Sequence, residues 1–333
     1  MKTFALVNQK GGVGKTTTAL NLAACLAATE RRVLLFDLDP QGNATSGLGV
    51  NKNDLKSTTY DVIVKNQPIS EAILDTKIPD LKIVPTNTQL VAAEIELVSA
   101  FSRERRLTSV LSQCENDFDY IFIDCPPSLG LLTVNALSAA QGILVPVQCE
   151  YYALEGLSEL TQTIEMIQKH LNPQLETAGI ILTMYDGRNN LSRQVAEEVE
   201  AFFQDKVFSA KIPRNVKLSE SPSHGLPILL YDAFSKGAES YMSLTAEFIH
   251  RFEPNSEQNE TPKEDQTIQN YTQNHIMDHK AYEAIENTIH QEIVQANHTT
   301  HSDPLSQKIY KDDEITDSSI SLDEINRAIG ENL

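Results

Sequence analysis

Six side chains could carry chemistry here, namely Lys10, Lys15, Thr16, Asp37, Asp39 and Asp124, and that chemistry is the binding and transfer of phosphate. Residues 9–18 read Gln9-Lys10-Gly11-Gly12-Val13-Gly14-Lys15-Thr16-Thr17-Thr18, between an apolar run at 4–7 and the helix-like Ala19-Leu20-Asn21-Leu22-Ala23-Ala24. Glycines let a backbone turn tightly and aim its N–H groups at phosphate oxygens, and the following helix N-terminus adds positive partial charge. Gly11, Gly12, Val13, Gly14, Lys15, Thr16 and Thr17 would then cradle ATP, with Lys15 on the β- and γ-phosphates and the Thr16 hydroxyl on Mg²⁺. The general pattern G-x-x-x-x-G-K-[ST] places glycine at position 9, where this chain has Gln9 and, next to it, a second lysine, Lys10. Read without its flanks, the stretch is also compatible with a glycine-rich turn carrying a solvated lysine.

The carboxylates lie at the ends of apolar runs. Asp124 follows Tyr120-Ile121-Phe122-Ile123 and leads into Cys125-Pro126-Pro127-Ser128, the expected position for holding Mg²⁺ directly or through water. Asp37 and Asp39 end the run at 33–36 in Asp37-Leu38-Asp39-Pro40-Gln41-Gly42-Asn43. Asp39, followed by a rigid proline and a glycine turn, suits a loop that orients the attacking water opposite the γ-phosphate. Either aspartate alone would more simply be a strand-end turn or cap. Pro126 and Pro127 are expected to stiffen a second segment that senses the γ-phosphate.

These groups need a scaffold. Short apolar, β-rich runs at 4–7, 33–36, 82–84, 120–123, 143–147 and 178–184 alternate with amphipathic stretches at about 16–29, 88–99, 103–115, 130–139, 153–170, 191–203 and 236–251. Near-continuous apolar strands separated by helices predict an α/β fold: a doubly wound, mostly parallel sheet with helices on both faces, of the P-loop NTPase kind, with ligands at the carboxyl ends of the strands.

The 333 residues carry a net charge of −19, unevenly distributed. Residues 253–333 hold 17 acidic and 5 basic side chains, a net of −12, which leaves −7 on the first 252. A domain boundary is expected near Phe252, giving an ATPase domain at 1–252 and a polar, acidic, largely disordered tail at 253–333 that lacks the apolar surface for its own core. Two tail stretches recur at helical spacing, Tyr282, Ile285, Ile289, Ile293 and Leu322, Ile325, Ile329; they read as transient solvated helices or as partner-docking ones. Five of the eight histidines lie there and are read as solvated. Cys25, Cys114, Cys125 and Cys149 are too few and too scattered for a disulfide scaffold and are expected as reduced, mostly buried thiols. No apolar run reaches membrane-spanning length, and a first strand beginning at once predicts neither a secretory leader nor a helix-turn-helix extension. A cytoplasmic location is expected.

The Lys-Gly-Gly-Val-Gly-Lys-Thr-Thr loop resembles the deviant Walker A motif of the ParA/MinD family, in which the extra lysine reaches the partner subunit's nucleotide across a dimer interface. Two ATP molecules between subunits concentrate negative charge, which a cation from each side offsets. The Asp37–Asn43 segment resembles the family's D-x-D-P-Q-G-N, which implies Asp39 in the water-activating position and Asp37 nearer the metal. Leu182-Thr183-Met184-Tyr185-Asp186, the block from Ile212 to Gly225 and Gly237-Ala238 are similar to the ParA and Soj partitioning ATPases, so that the likeness spans about residues 1–250. It implies Lys10, Lys15 and Asp39 as catalytic residues, Pro213 and Asn215 at adenine, and an ATP-bound homodimer that binds non-specific DNA through Arg188 and Lys217, with Lys211, Arg214 and Arg193 nearby. It further implies nucleoid association and a centromere-bound ParB-type partner whose basic N-terminal segment stimulates a weak intrinsic hydrolysis.

Three rivals share the loop. A MinD-like ATPase acting on membranes or another non-DNA surface needs a basic amphipathic C-terminal helix, whereas this tail is acidic and anionic lipid would repel it. An iron-protein-like reductase needs a cysteine pair for an iron–sulfur cluster, and none stands out. A DNA-binding scaffold that holds ATP without turnover would release no phosphate.

Overall fold

A computed structural model describes residues 1–114, 116–151 and 153–253, with the side chains of 154–155 also left aside. The tail and its two helical-spacing stretches lie outside the described residues.

The strand β1 (Lys2–Leu6) leads through the phosphate loop into α1 (Lys15–Ala27), and β2 (Val33–Asp37) leads into the short α2 (Asn43–Gly47) and α3 (Thr59–Ile63). A two-residue β3 (Leu74–Asp75) precedes β4 (Leu81–Val84), a helical stretch over 88–99 whose central turn is α4 (Ala93–Glu96), and α5 (Arg106–Leu111). Next come β5 (Tyr120–Asp124), α6 (Leu131–Ala139), β6 (Gly142–Gln148), α7 (Ala153–His170), β7 (Glu176–Thr183) and α8 (Asn190–Phe203). The short α9 (Val216–Glu220) and α10 (Ile228–Tyr231) and the longer α11 (Lys236–Phe252) complete the described chain.

One seven-stranded sheet runs in the order β3-β4-β2-β5-β1-β6-β7, parallel throughout except at the β3 edge. Every residue of β2 and β5 is buried, as strands covered on both faces require. Two apolar clusters account for this. One joins α1 and α11 to a sheet face through Leu22, Leu26, Phe122 and Phe248; the other joins α6, α7 and α8 to the opposite face through Leu137, Leu160, Ile164 and Val199. Helix α7 has Leu157, Leu160, Ile164 and Ile167 on its buried side, the spacing of an amphipathic helix. Local chemistry sets several starts: the Ser235 hydroxyl accepts from the Ala238 amide ahead of α11, and Thr58 and Asp61 form a reciprocal capping box at α3.

The sheet and the long helices match expectation. The stretches at 88–99 and 103–115 differ, because both break into 3₁₀ and α turns. Ser102 between them holds a left-handed φ of 51°, which ends one stretch and redirects the chain into the next.

Candidate functional site

The carboxyl ends of β1, β2 and β5 lie side by side, and all six expected residues lie at or just beyond them. Leu6 pairs in register with Asp124, and Asp37 with Asp124. Beyond β1 the phosphate loop turns at Gly12 and Gly14, with φ of 75° and 90°, a conformation that side chains strain, before α1 begins at Lys15. Braces from distant segments hold the loop. Asn8 donates through Nδ2 to the Pro146 carbonyl at 2.8 Å and accepts from the Lys10 amide at 3.0 Å, and the Thr183 hydroxyl donates to the Val13 carbonyl at 2.8 Å.

The two lysines have different surroundings. Lys15 is buried and its Nζ donates to the Lys10 carbonyl at 3.2 Å. Burial pulls its pKa down, while the charges of Asp124, Cys125 and Asp39 oppose this. Lys10 is exposed, and its Nζ stands 3.2 Å from Glu150 Oε2. The same Glu150 carboxylate lies 3.9 Å from the Arg214 guanidinium, so Lys10 shares its only printed counter-ion.

Asp37 and Asp124 are both fully buried on adjacent strands. Neither oxygen of Asp124 has a hydrogen-bond partner. Desolvation first and the Asp37 charge second raise its pKa well above the usual carboxylate range, against the nearby Thr16 hydroxyl, while the Asp39 charge adds to the rise and Lys15 opposes it. Two orphaned, buried carboxylate oxygens beside a threonine hydroxyl fit a divalent cation with oxygen ligands. Asp37 differs, because its Oδ2 accepts from both the amide (2.8 Å) and hydroxyl (2.6 Å) of Thr45, and its Oδ1 from the Asp39 amide at 3.3 Å. Desolvation raises its pKa too, with the Thr45 bonds opposing. Asp39 is nearly buried and folds its carboxylate onto the Gln41 amide at 3.0 Å.

The block at 212–225 sits beside this loop. The Ile212 amide donates to the Leu182 carbonyl and Pro213 bridges Tyr185 at the end of β7, the strand that braces Val13. Asn215 caps α9, its Oδ1 accepting from the Leu218 amide at 3.2 Å. Arg188 and Lys217 are exposed and each is paired: Arg188 to Asp186 at 2.9 Å, Lys217 to Glu220 at 3.1 Å. The Arg188 hydrogen bond drives the Asp186 carboxyl down to about 2. The four cysteines are buried and free.

Asn8, Thr45, Thr183 and Glu150 were not legible as site residues. Each acts through a partner 8 to 170 positions away in sequence, and no local pattern marks it. A polar residue directly ending an apolar strand-like run was the available signal for Asn8 and Thr183.

A family model for the AAA domain matches residues 1–177. Sporulation initiation inhibitor protein Soj of Bacillus subtilis (strain 168) is 56% identical over 246 residues, covering 74% of this chain and 97% of that one. Chromosome partitioning protein ParA of Myxococcus xanthus (strain DK1622) is 54% identical over 253 residues, 76% of this chain and 89% of that one. Among solved structures, cobyrinic acid a,c-diamide synthase from Mycobacterium smegmatis with bound ADP and magnesium aligns with a TM-score of 0.67 at 36% identity over 76% of this chain and 96% of that one. The cell division ATPase MinD of Pyrococcus furiosus aligns with a TM-score of 0.61 at 28% identity over 75% and 98%. The motifs, the sheet order and these relatives agree, and the chain belongs to the ParA/Soj family of chromosome-partitioning ATPases.

Proposed function

We propose that the chain is an ATP-driven partitioning switch in which ATP builds a DNA-bound homodimer and hydrolysis, stimulated by a ParB-type partner, dissolves it. The observation that carries this is the contrast between the two loop lysines. Buried Lys15 serves its own nucleotide, while exposed Lys10, held only by a shared surface carboxylate, is free to serve another subunit's.

Thr16 and Asp124 would hold Mg²⁺, which supplies charge neutralisation across the β- and γ-phosphates. Asp37, with both oxygens engaged, anchors the 39–45 loop and reaches the metal only through water. Backbone amides of residues 11–17 receive the phosphates, and Lys15 and the partner's Lys10 balance charge that develops as the bond to the β,γ-bridging oxygen breaks. Asp39 orients the attacking water and accepts its proton. Pro213 and Asn215 line the base, with the Asn215 Nδ2 hydrogens left to donate because its oxygen caps α9.

Arg188 and Lys217 contact DNA phosphates. Both are already paired with carboxylates, so phosphate must outcompete Asp186 and Glu220, which predicts weak intrinsic affinity with steep salt dependence. No described helix is long and apolar enough to cross a membrane. The support for DNA as the surface is the family and the position of these cations in its characteristic block; a cytoplasmic, nucleoid-associated location follows from that. Replacing Arg188 and Lys217 together by Glu should abolish DNA retention in a surface-binding assay while Mg·ATP binding is unchanged. Retention at wild-type strength would remove the DNA interface from this proposal.

A further inference from the structure

Four large apolar side chains that the described residues leave exposed fall within eleven positions. Along 88–99, Leu90, Ala93 and Leu97 are buried, whereas Val91, Ile95 and Val98 are 56%, 76% and 57% exposed, and Phe101 just beyond is 92% exposed. The helical stretch is therefore apolar on both sides, with only one side covered. Residues 88–102 carry Glu94 and Glu96 and no lysine or arginine, and neither glutamate makes an ion pair among the described residues.

The stretch is also tied to both nucleotide-sensing segments. At its base the Thr86 amide donates to the Thr45 hydroxyl at 3.0 Å, and that hydroxyl donates to Asp37. On its flank the Glu94 carboxylate occupies the space over Gly130, where any β-carbon would collide with it, at the start of α6 directly after the 124–128 segment. Glu96 accepts from the Tyr60 hydroxyl at 3.0 Å.

An apolar stripe flanked by uncompensated acid fits an amphipathic segment with apolar residues on one side and lysine or arginine beside them. Resting on the partner proposed above, we infer that Val91, Ile95 and Val98 are the docking face for the basic segment of the ParB-type partner, and that docking there reaches hydrolysis through Glu94–Gly130 and Thr86–Thr45–Asp37. The chain's own tail, at net −12, is a poor occupant for an acidic rim.

The test uses full-length protein, Mg·ATP, DNA and a fluorescent synthetic peptide spanning the basic N-terminal segment of the ParB-type protein from the same genome. The Ile95→Ser/Val98→Ser double variant should keep wild-type basal phosphate release and DNA retention, while peptide affinity by anisotropy and peptide-stimulated release each fall at least tenfold. Ile95→Leu should behave as wild type. Wild-type peptide response in the double variant would overturn the docking site and leave the partner proposal standing. Loss of ATP-dependent dimerisation with peptide binding intact would overturn it too, assigning the stripe to the subunit contact. A wild-type protein that ignores the peptide would overturn the partner proposal itself, and this site with it.

Discussion

Asp37 and Asp124 are two fully buried carboxyls in register on neighbouring strands, and neither has a cation bound in place. Their folded-state pKa values lie above the unfolded value of about 3.9, so the native chain binds more protons than the unfolded one over that range. The sign follows: stability is greatest below about pH 4 as far as these groups are concerned and falls as pH rises through their native pKa values. Mg·ADP, which needs the ionised form, should raise Tm more at pH 8 than at pH 6, and Asp124→Asn should flatten that difference in a thermal-shift series. Equal increments at both pH values would contradict the assignment. Asp39→Ala should lower phosphate release by roughly 10²–10⁴-fold, the usual reach of a positioned base, with ATP binding retained by equilibrium dialysis. Legibility in the sequence followed the same division. Gly11 to Thr17 and Asp124 were readable because their neighbours along the chain determine what they do. The engagement of Asp37 by Thr45 was not, since it depends on a loop closing over eight residues.

At the scale of elements, the short α2 holds the strand ends together. Thr45 within it is buried, donates to Asp37 and accepts from the Thr86 amide beyond β4. Thr45→Val keeps the shape and orphans a buried amide, which should cost about 1–3 kcal/mol in urea unfolding and slow hydrolysis by loosening the 39–45 loop. An unchanged midpoint would show that water replaces the hydroxyl. The six parallel strands were legible because buried parallel strands are continuous apolar runs, and α7, α8 and α11 because their apolar spacing is regular. The two-residue β3 carries too little pattern to be seen. The 88–99 stretch misled in an informative way: Val91, Ile95 and Val98 reinforced a helical period although they face solvent, so apolar residues on an open face were counted toward the core.

At the scale of the molecule, the first 252 residues carry −7 and the remainder −12, so binding to DNA depends on local cations working against the chain's overall charge. Removing residues 253–333 should tighten DNA retention at low salt by lessening that repulsion, with the advantage shrinking as the Debye length falls from about 30 Å at 0.01 M to 10 Å at 0.1 M. Equal retention at matched low salt would exclude the tail as a competitor. The central claim is that ATP, through a lysine given to the other subunit, creates the DNA-binding state. Its most direct test is retention of the full-length protein on a non-specific DNA surface with Mg·ATP, with Mg·ADP and without nucleotide, for wild type and Lys10→Ala. The account predicts retention only for wild type with Mg·ATP; equal retention in every nucleotide state, or undiminished retention of Lys10→Ala, would contradict it.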